Sequence, residues 1–227
     1  MNKVIEKINE DINKIKVINY QEEFVSTNTN FLGLKKGEYQ LNNGSNIKRE
    51  SLINKTVTGN AVCIFAVTVD KKILIVIQPR VQLPTDNKIN IELPAGYIEE
   101  KETSIEAALR ELTEETGYTS DNIALVDSYY SSIGHSSERI DLLLALECFK
   151  ISDQQLDKDE FIYCEAINLE EFEYLLNNNY IMDANARIGY YRYLDYLMKV
   201  FIIIVRLLVV LILGMVKGLI VLVLRGF

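Results

Sequence analysis

Apolar and polar positions divide this chain into short, legible segments. Val4, Ile5, Ile8, Ile12 and Ile15 recur at helical spacing among charges, which predicts an amphipathic helix over 3–16. From 17 to 60, short apolar runs alternate with turn signals at Lys36-Gly37 and Asn42-Asn43-Gly44, which predicts antiparallel strands and hairpins. The runs 61–69 and 73–78 are β-rich and almost wholly apolar around Asp70-Lys71-Lys72. That is the pattern of a hairpin whose strands are buried. A polar loop containing Pro84 follows over 81–90.

Thr103 and Glu106 then form the capping box T-x-x-E. Behind it Ile105, Ala108, Leu109 and Leu112 fall at i, i+3, i+4 and i+7, so one apolar stripe is expected on a helix over 105–116. Gly117 is placed to end that helix. Residues 123–131 and 140–149 read as strands separated by a loop over 132–139. A strand over 161–167, a helix over 169–177 capped by Asn168, and a Tyr-rich helix over 183–199 complete the body.

The tail over 200–227 is a different kind of sequence. It is almost entirely apolar, with no acid, Asn, Ser or Thr. Its longest uncharged run, 207–216, is too short to span a bilayer, which needs about 20 apolar residues. Lys199, Arg206 and Lys217 share a helical face, with Gly214 and Gly218 near it. Three readings stay open: membrane association, burial in an oligomer, or a segment not native to the domain before it.

The chain has 227 residues, with 24 Lys+Arg against 32 Asp+Glu, a net charge of −8. The tail contributes three basic residues and no acid, so the body alone stands at −11. An acidic body argues against nucleic-acid binding through a basic face. If it handles phosphates, it needs a metal to screen the repulsion. The three cysteines have no metal-ligand spacing, and His135 is the single histidine, so a zinc site is not expected. The cysteine usage and the lack of a secretory signal point to the cytoplasm. Length allows one or two domains. The expected division is an N-terminal element over 1–44, a main domain over 45–199 and the tail over 200–227.

The chemistry concentrates on the helix over 105–116. Glu111, Glu114 and Glu115 lie at i, i+3 and i+4 and share one face. Like charges so spaced repel, and Arg110 alone cannot neutralise three of them. A solvated acidic face is one reading; a bound Mg²⁺ or Mn²⁺ is the other. The wider spacing favours the second. The segment Gly96-x5-Glu102-x7-Arg110-Glu111-Leu112-x-Glu114-Glu115-x-Gly117-Tyr118 resembles the Nudix box of the Nudix hydrolase superfamily at its defining positions.

That resemblance implies an α/β/α sandwich with a mixed sheet and metal-dependent hydrolysis of a nucleoside diphosphate linked to a group X. It implies Glu111, Glu114, Glu115 and the carbonyl of Ala95 as metal ligands. Arg110 would hold the glutamates, while Gly96, Glu102 and Gly117 would shape the box. Gln78-Pro79-Arg80, Glu92-Leu93-Pro94-Ala95-Gly96 and the stretch from Tyr129 to Ile140 are similar to segments of ADP-ribose pyrophosphatases. This adds Arg80, Glu92 and Arg139 as substrate-binding residues and Glu138 as a candidate general base. It also implies a homodimer assembled through the N-terminal strands and a small nucleotide substrate, ADP-ribose first. Ile133 stands where that subfamily carries Pro. Nucleotide-sugar and dinucleotide (NADH-type) pyrophosphatases therefore stay open, as does a non-catalytic nucleotide-binding module.

Overall fold

The computed structural model describes residues 17–26, 32–55, 58–84, 89–158 and 160–225. The helix expected over 3–16 lies outside the described residues, as does part of the loop over 81–90.

Strands β1 (Val17–Ser26), β2 (Leu32–Leu41) and β3 (Asn46–Asn54) form a three-stranded antiparallel sheet. The Asn42-Asn43-Gly44 turn joins β2 to β3, with Gly44 at φ +84° and its N–H donating to the Leu41 carbonyl at 3.0 Å. The expected division at 44/45 thus falls inside a hairpin of one sheet. Lys36-Gly37 is not a turn. Both residues lie mid-strand in β2, where Gly37 pairs with Glu22 on one side and Arg49 on the other. A Cβ at Gly37 would lie 2.8 Å from the Tyr39 ring, so this glycine makes room for an aromatic on the same strand face.

The main sheet runs β11-β5-β4-β10-β8, built from β4 (Ala61–Thr68), β5 (Ile73–Pro79), β8 (Tyr118–Thr119), β10 (Arg139–Lys150) and β11 (Tyr163–Ile167). Beside it, β6 (Ile89–Glu92) pairs with β5, β7 (Ala95–Tyr97) with β4, and β9 (Asn122–Tyr130) with β10. β4 and β10 run parallel, from Ala61↔Ile140 to Thr68↔Cys148, and the other pairs are antiparallel, so the sheet is mixed.

β4 is buried at every position, which is why it reads as an unbroken apolar run. Its side chains alternate between two cores. Val62, Ile64 and Ala66 join Ala107, Ala108 and Leu112 of helix α1 (Ser104–Thr116). Cys63, Phe65 and Val67 join Phe172 and Leu176 of α2 (Leu169–Asn177) and Ala186 and Tyr193 of α3 (Ala184–Arg225). Helices on both faces make the expected sandwich. Arg187 of α3 donates to the carbonyls of Leu176 and Ile181 and so satisfies the end of α2.

The helix expected over 183–199 does not stop there. α3 runs unbroken to Arg225, because the tail contains no Pro and its Leu and Ile residues sustain a helix. Residues 201–209 are exposed all round, past the last residues that pack on the sheet. Among the described residues, no helix is long and apolar enough to cross a membrane.

Candidate active site

α1 carries the acid pattern, and both of its ends are fixed. Thr103 and Glu106 make the reciprocal capping box. In the first turn, Ser104 Oγ donates to Asp141 Oδ2 of β10 at 2.5 Å. Gly117 closes the helix at φ +76°, with the Ser152 carbonyl 2.2 Å from where a Cβ would stand. Only glycine meets both demands. The apolar stripe differs from the expected one. Ala107, Ala108 and Leu112 are buried, whereas Ile105 is exposed. The helix is turned toward the sheet along the strip that also holds Glu115, and packing against β4 decides that rotation.

Glu115 is therefore only 4% exposed. Its Oε2 accepts from the Ala95 N–H at 2.9 Å. Burial pushes its carboxyl up to about 8, with Glu111, Glu160 and Glu92 acting in the same direction and the Ala95 N–H opposing them. Burial also raises Glu111, against the pull of Arg110. A Cβ at Gly96 would fall 2.0 Å from the Glu111 carboxylate, so β7 can approach this acid only through glycine.

Arg110 is the hub of the box. Its Nε and Nη2 bind the two oxygens of Glu102 at 2.8 and 3.0 Å. Its Nη1 donates to Glu111 Oε1 at 2.8 Å and Glu114 Oε2 at 3.0 Å, and Nη2 also reaches the Tyr97 carbonyl at 2.9 Å. One guanidinium thus joins β7, the following loop and the acidic face of α1. Glu102 leads Glu111 and Glu114 in raising the Arg110 pKa far above its ordinary value.

Arg80 and Glu92 meet each other. Arg80 Nε and Nη2 grip the Glu92 carboxylate at 2.7 and 2.6 Å, and Asn90 Nδ2 adds a bond at 2.9 Å. Both Glu92 oxygens are taken by protein donors, while nearly half of the Arg80 side chain stays exposed. Glu92 holds Arg80; Arg80 is the member of the pair open to a ligand.

Glu138 and Arg139 belong to a second group. Glu138 accepts from Ser131 Oγ at 3.0 Å and lies 3.5 Å from Asn54 Nδ2 of β3. Its loop is tied to β3 by the Leu52 N–H, which donates to the His135 carbonyl at 2.7 Å. Arg139 Nη2 donates to Asp141 Oδ2 at 3.0 Å. Neither residue joins the Arg110 network. Ile133 and His135 are exposed on the same loop.

The structure adds three acids that were not among the expected site residues. Glu160, between β10 and β11, is close enough to raise both Glu111 and Glu115. Asp183 accepts from the Ala186 N–H at 2.9 Å at the start of α3, and burial raises its carboxyl, as does Glu92. Asp141 is buried and gathers Ser104, Ser128 and Arg139. Asp183 carried a sequence signal, as the residue opening the helix expected over 183–199, and Asp141 carried one as a lone acid opening an apolar strand; Glu160 carried none.

Among the described residues, no three carboxylate, thiol or imidazole groups form a ready-made ligand set. Arg110 draws Glu111 and Glu114 together, while Glu115 turns to Ala95. The donor chemistry nevertheless fits a hard divalent cation. Glu111 and Glu115, one helical turn apart and both raised by burial, stand on a rigid helix against a backbone that only Gly96 allows so near.

A model of the NUDIX domain matches residues 57–186, more than half of the chain. Over 150 residues the chain is 35% identical to an ADP-ribose pyrophosphatase of Bacillus subtilis (strain 168), covering 66% of this chain and 77% of that one. Over 175 residues it is 32% identical to a methanol dehydrogenase activator of Bacillus methanolicus, covering 75% and 91%. The crystal structure of an ADP compounds hydrolase superposes with a TM-score of 0.67 at 17% identity, over 82% of this chain and 95% of that one, and so shares the fold. With the domain match spanning the box and both cores of the sandwich, this chain belongs to the Nudix hydrolase family.

Proposed function

We propose that this Nudix hydrolase cleaves the pyrophosphate of ADP-ribose to AMP and ribose 5-phosphate, with Mg²⁺ or Mn²⁺ bound, as a cytoplasmic homodimer. The Glu111–Glu115 pair on α1, with Glu115 buried and Glu111 partly so, supports the reaction class. The likeness to the Bacillus subtilis ADP-ribose pyrophosphatase supports the substrate, as does 27% identity over 168 residues to a protein of the same name from Saccharomyces cerevisiae. Glu111 and Glu115 would hold the cation, with Glu114 and the Ala95 carbonyl beside them. A bound cation would polarise the phosphates and acidify an attacking water.

The chain's own groups do the rest. Arg110 fixes Glu111 and Glu114 in place, and Arg80, oriented by Glu92, offers a guanidinium to a phosphate. Water oxygen bonds to one phosphorus, the bridging P–O bond breaks, and two monophosphates leave. Glu160 and Glu138 are the loop acids able to take the water's proton, and Glu160 is the one whose charge reaches Glu115.

The homodimer reading rests on the sheet β1-β2-β3. It exposes Tyr20 and Phe24 at over 60% each, and is tied to the body through Leu52 and Asn54. The three cysteines are free thiols, which suits a reducing compartment.

The test is a Mg²⁺-dependent assay of the full chain on ADP-ribose, NADH, GDP-mannose, UDP-glucose and a diadenosine polyphosphate, with Glu115→Gln as the control. Fastest release of AMP and ribose 5-phosphate from ADP-ribose is expected. Preference for another member would move the substrate and keep the reaction. No turnover of any member would overturn the catalytic reading.

A further inference from the structure

The carbonyls in the last turn of a helix have no partner within it and must find donors elsewhere. In α1 they find them in the segment that follows β10. Ile151 and Ser152 donate their N–H groups to the Gly117 carbonyl at 2.9 and 3.2 Å, and the Gln155 N–H donates to the Glu114 carbonyl at 2.8 Å. The Glu115 carbonyl is served by a side chain. Gln154 Nε2 donates to it at 2.5 Å and to the Ile162 carbonyl at 3.2 Å. A primary amide has two N–H donors, and Gln154 points one at the glutamate helix and one at the far end of its own loop.

Between those two ends lies Glu160. Its N–H donates to the Asp157 carbonyl and its Oε2 accepts from the Asp157 N–H, both at 3.0 Å, so the acid is set by the local shape of the loop. The span that holds it is joined at both ends, through the Gln154 amide, to the backbone of Glu115. The placement of Glu160 against the glutamate pair therefore depends on how the loop's two ends meet α1.

We propose that Gln154 is a positioning residue for the hydrolytic reaction, its amide clasping the Glu160 loop to the backbone of Glu115. This rests on the hydrolase reading above but not on which nucleotide is the substrate. The Gln154 residue is itself exposed, so the clasp can be removed without opening the core.

The test uses the full chain, Mg²⁺ and the panel member turned over fastest. Gln154→Met keeps the length and removes both donors. It should lower kcat roughly 10- to 100-fold while leaving KM within about twofold, the usual scale for a group that supports a site without touching substrate. Gln154→Glu places a carboxylate against two carbonyls and should lose more. The decisive arm is a double-mutant cycle with Glu160→Gln. If Gln154 acts through Glu160, adding Gln154→Met to Glu160→Gln costs no further kcat. Unchanged kcat in Gln154→Met, or the same loss repeated in the Glu160→Gln background, would overturn the proposal. So would full activity in Glu160→Gln alone. An inactive Glu115→Gln control in the same assay would leave the hydrolase reading standing in each case.

Discussion

The site around α1 and the sheet β1-β2-β3 are both rich in paired charges, yet the pairs do different work. In the N-terminal sheet, Lys36 meets Glu23 and Lys48 meets Glu38 as single pairs with side chains more than half exposed. Around α1, Arg110 is three-quarters buried and serves three acids and a backbone carbonyl. Exposed pairs contribute little because water screens them and ordering two long side chains costs entropy. Pairs taken from water must be fully partnered, and losing one member leaves a stranded charge. The same residue types thus give solvated pairs at Lys36 and Lys48 and an overdetermined geometry around Arg110; Lys35, Glu22 and Tyr39 lie between the two, a less exposed pair with one added bond.

The comparison breaks first at Glu115. Glu115→Gln keeps shape and the bond from Ala95 but loses the ligand charge, so turnover should fall about a thousand-fold or more. Activity near wild type in a kcat measurement would remove Glu115 from the proposed metal ligands. Gly96→Ala comes next. Its Cβ must displace the Glu111 carboxylate, and kcat should fall about a hundred-fold with the fold retained by circular dichroism.

A third measurement sharpens the contrast through pH. Burial pushes the Glu115 carboxyl up to about 8, above its unfolded value. Its contribution to stability is complete below the unfolded pKa and is lost as pH rises toward 8. Glu115→Gln should therefore melt above the wild type in EDTA, by a gap that widens from about pH 4.5 to 8. A constant gap would mean that burial does not hold this carboxyl protonated. A smaller effect tests the proposed homodimer: Phe24→Glu should shift the full chain from dimer to monomer in light scattering and leave kcat within a few-fold, and a wild type already monomeric would overturn that assembly. Last, Lys36→Ala should leave the melting temperature unchanged within error, as expected for an exposed pair.

The elements were legible in the sequence where local chemistry is decisive. The capping box at Thr103, the helix cap at Asn168, the αL glycine at 117 and the buried hairpin all stand where their patterns put them. Lys36-Gly37 failed because glycine also serves close packing, and no local signal tells a ring-covered strand position from a turn. Ile105 failed because a helix with several apolar residues can present more than one arc, and packing against the sheet chooses among them. Glu160 and Gln154 were not legible at all. They lie in an irregular segment where neither period nor spacing marks the bond from Gln154 to the Glu115 carbonyl, 39 positions earlier.

The sequence by itself determined the box, the spacing of its glutamates and the order of elements, since these depend on residue type at short range. Only the tertiary structure decided that Arg80 and Glu92 bind each other, that Glu138 is held toward β3 while Glu160 reaches the glutamates, and that α3 continues past the body. Those facts depend on which faces the two cores bury and on where the freed backbone groups at helix ends find their partners.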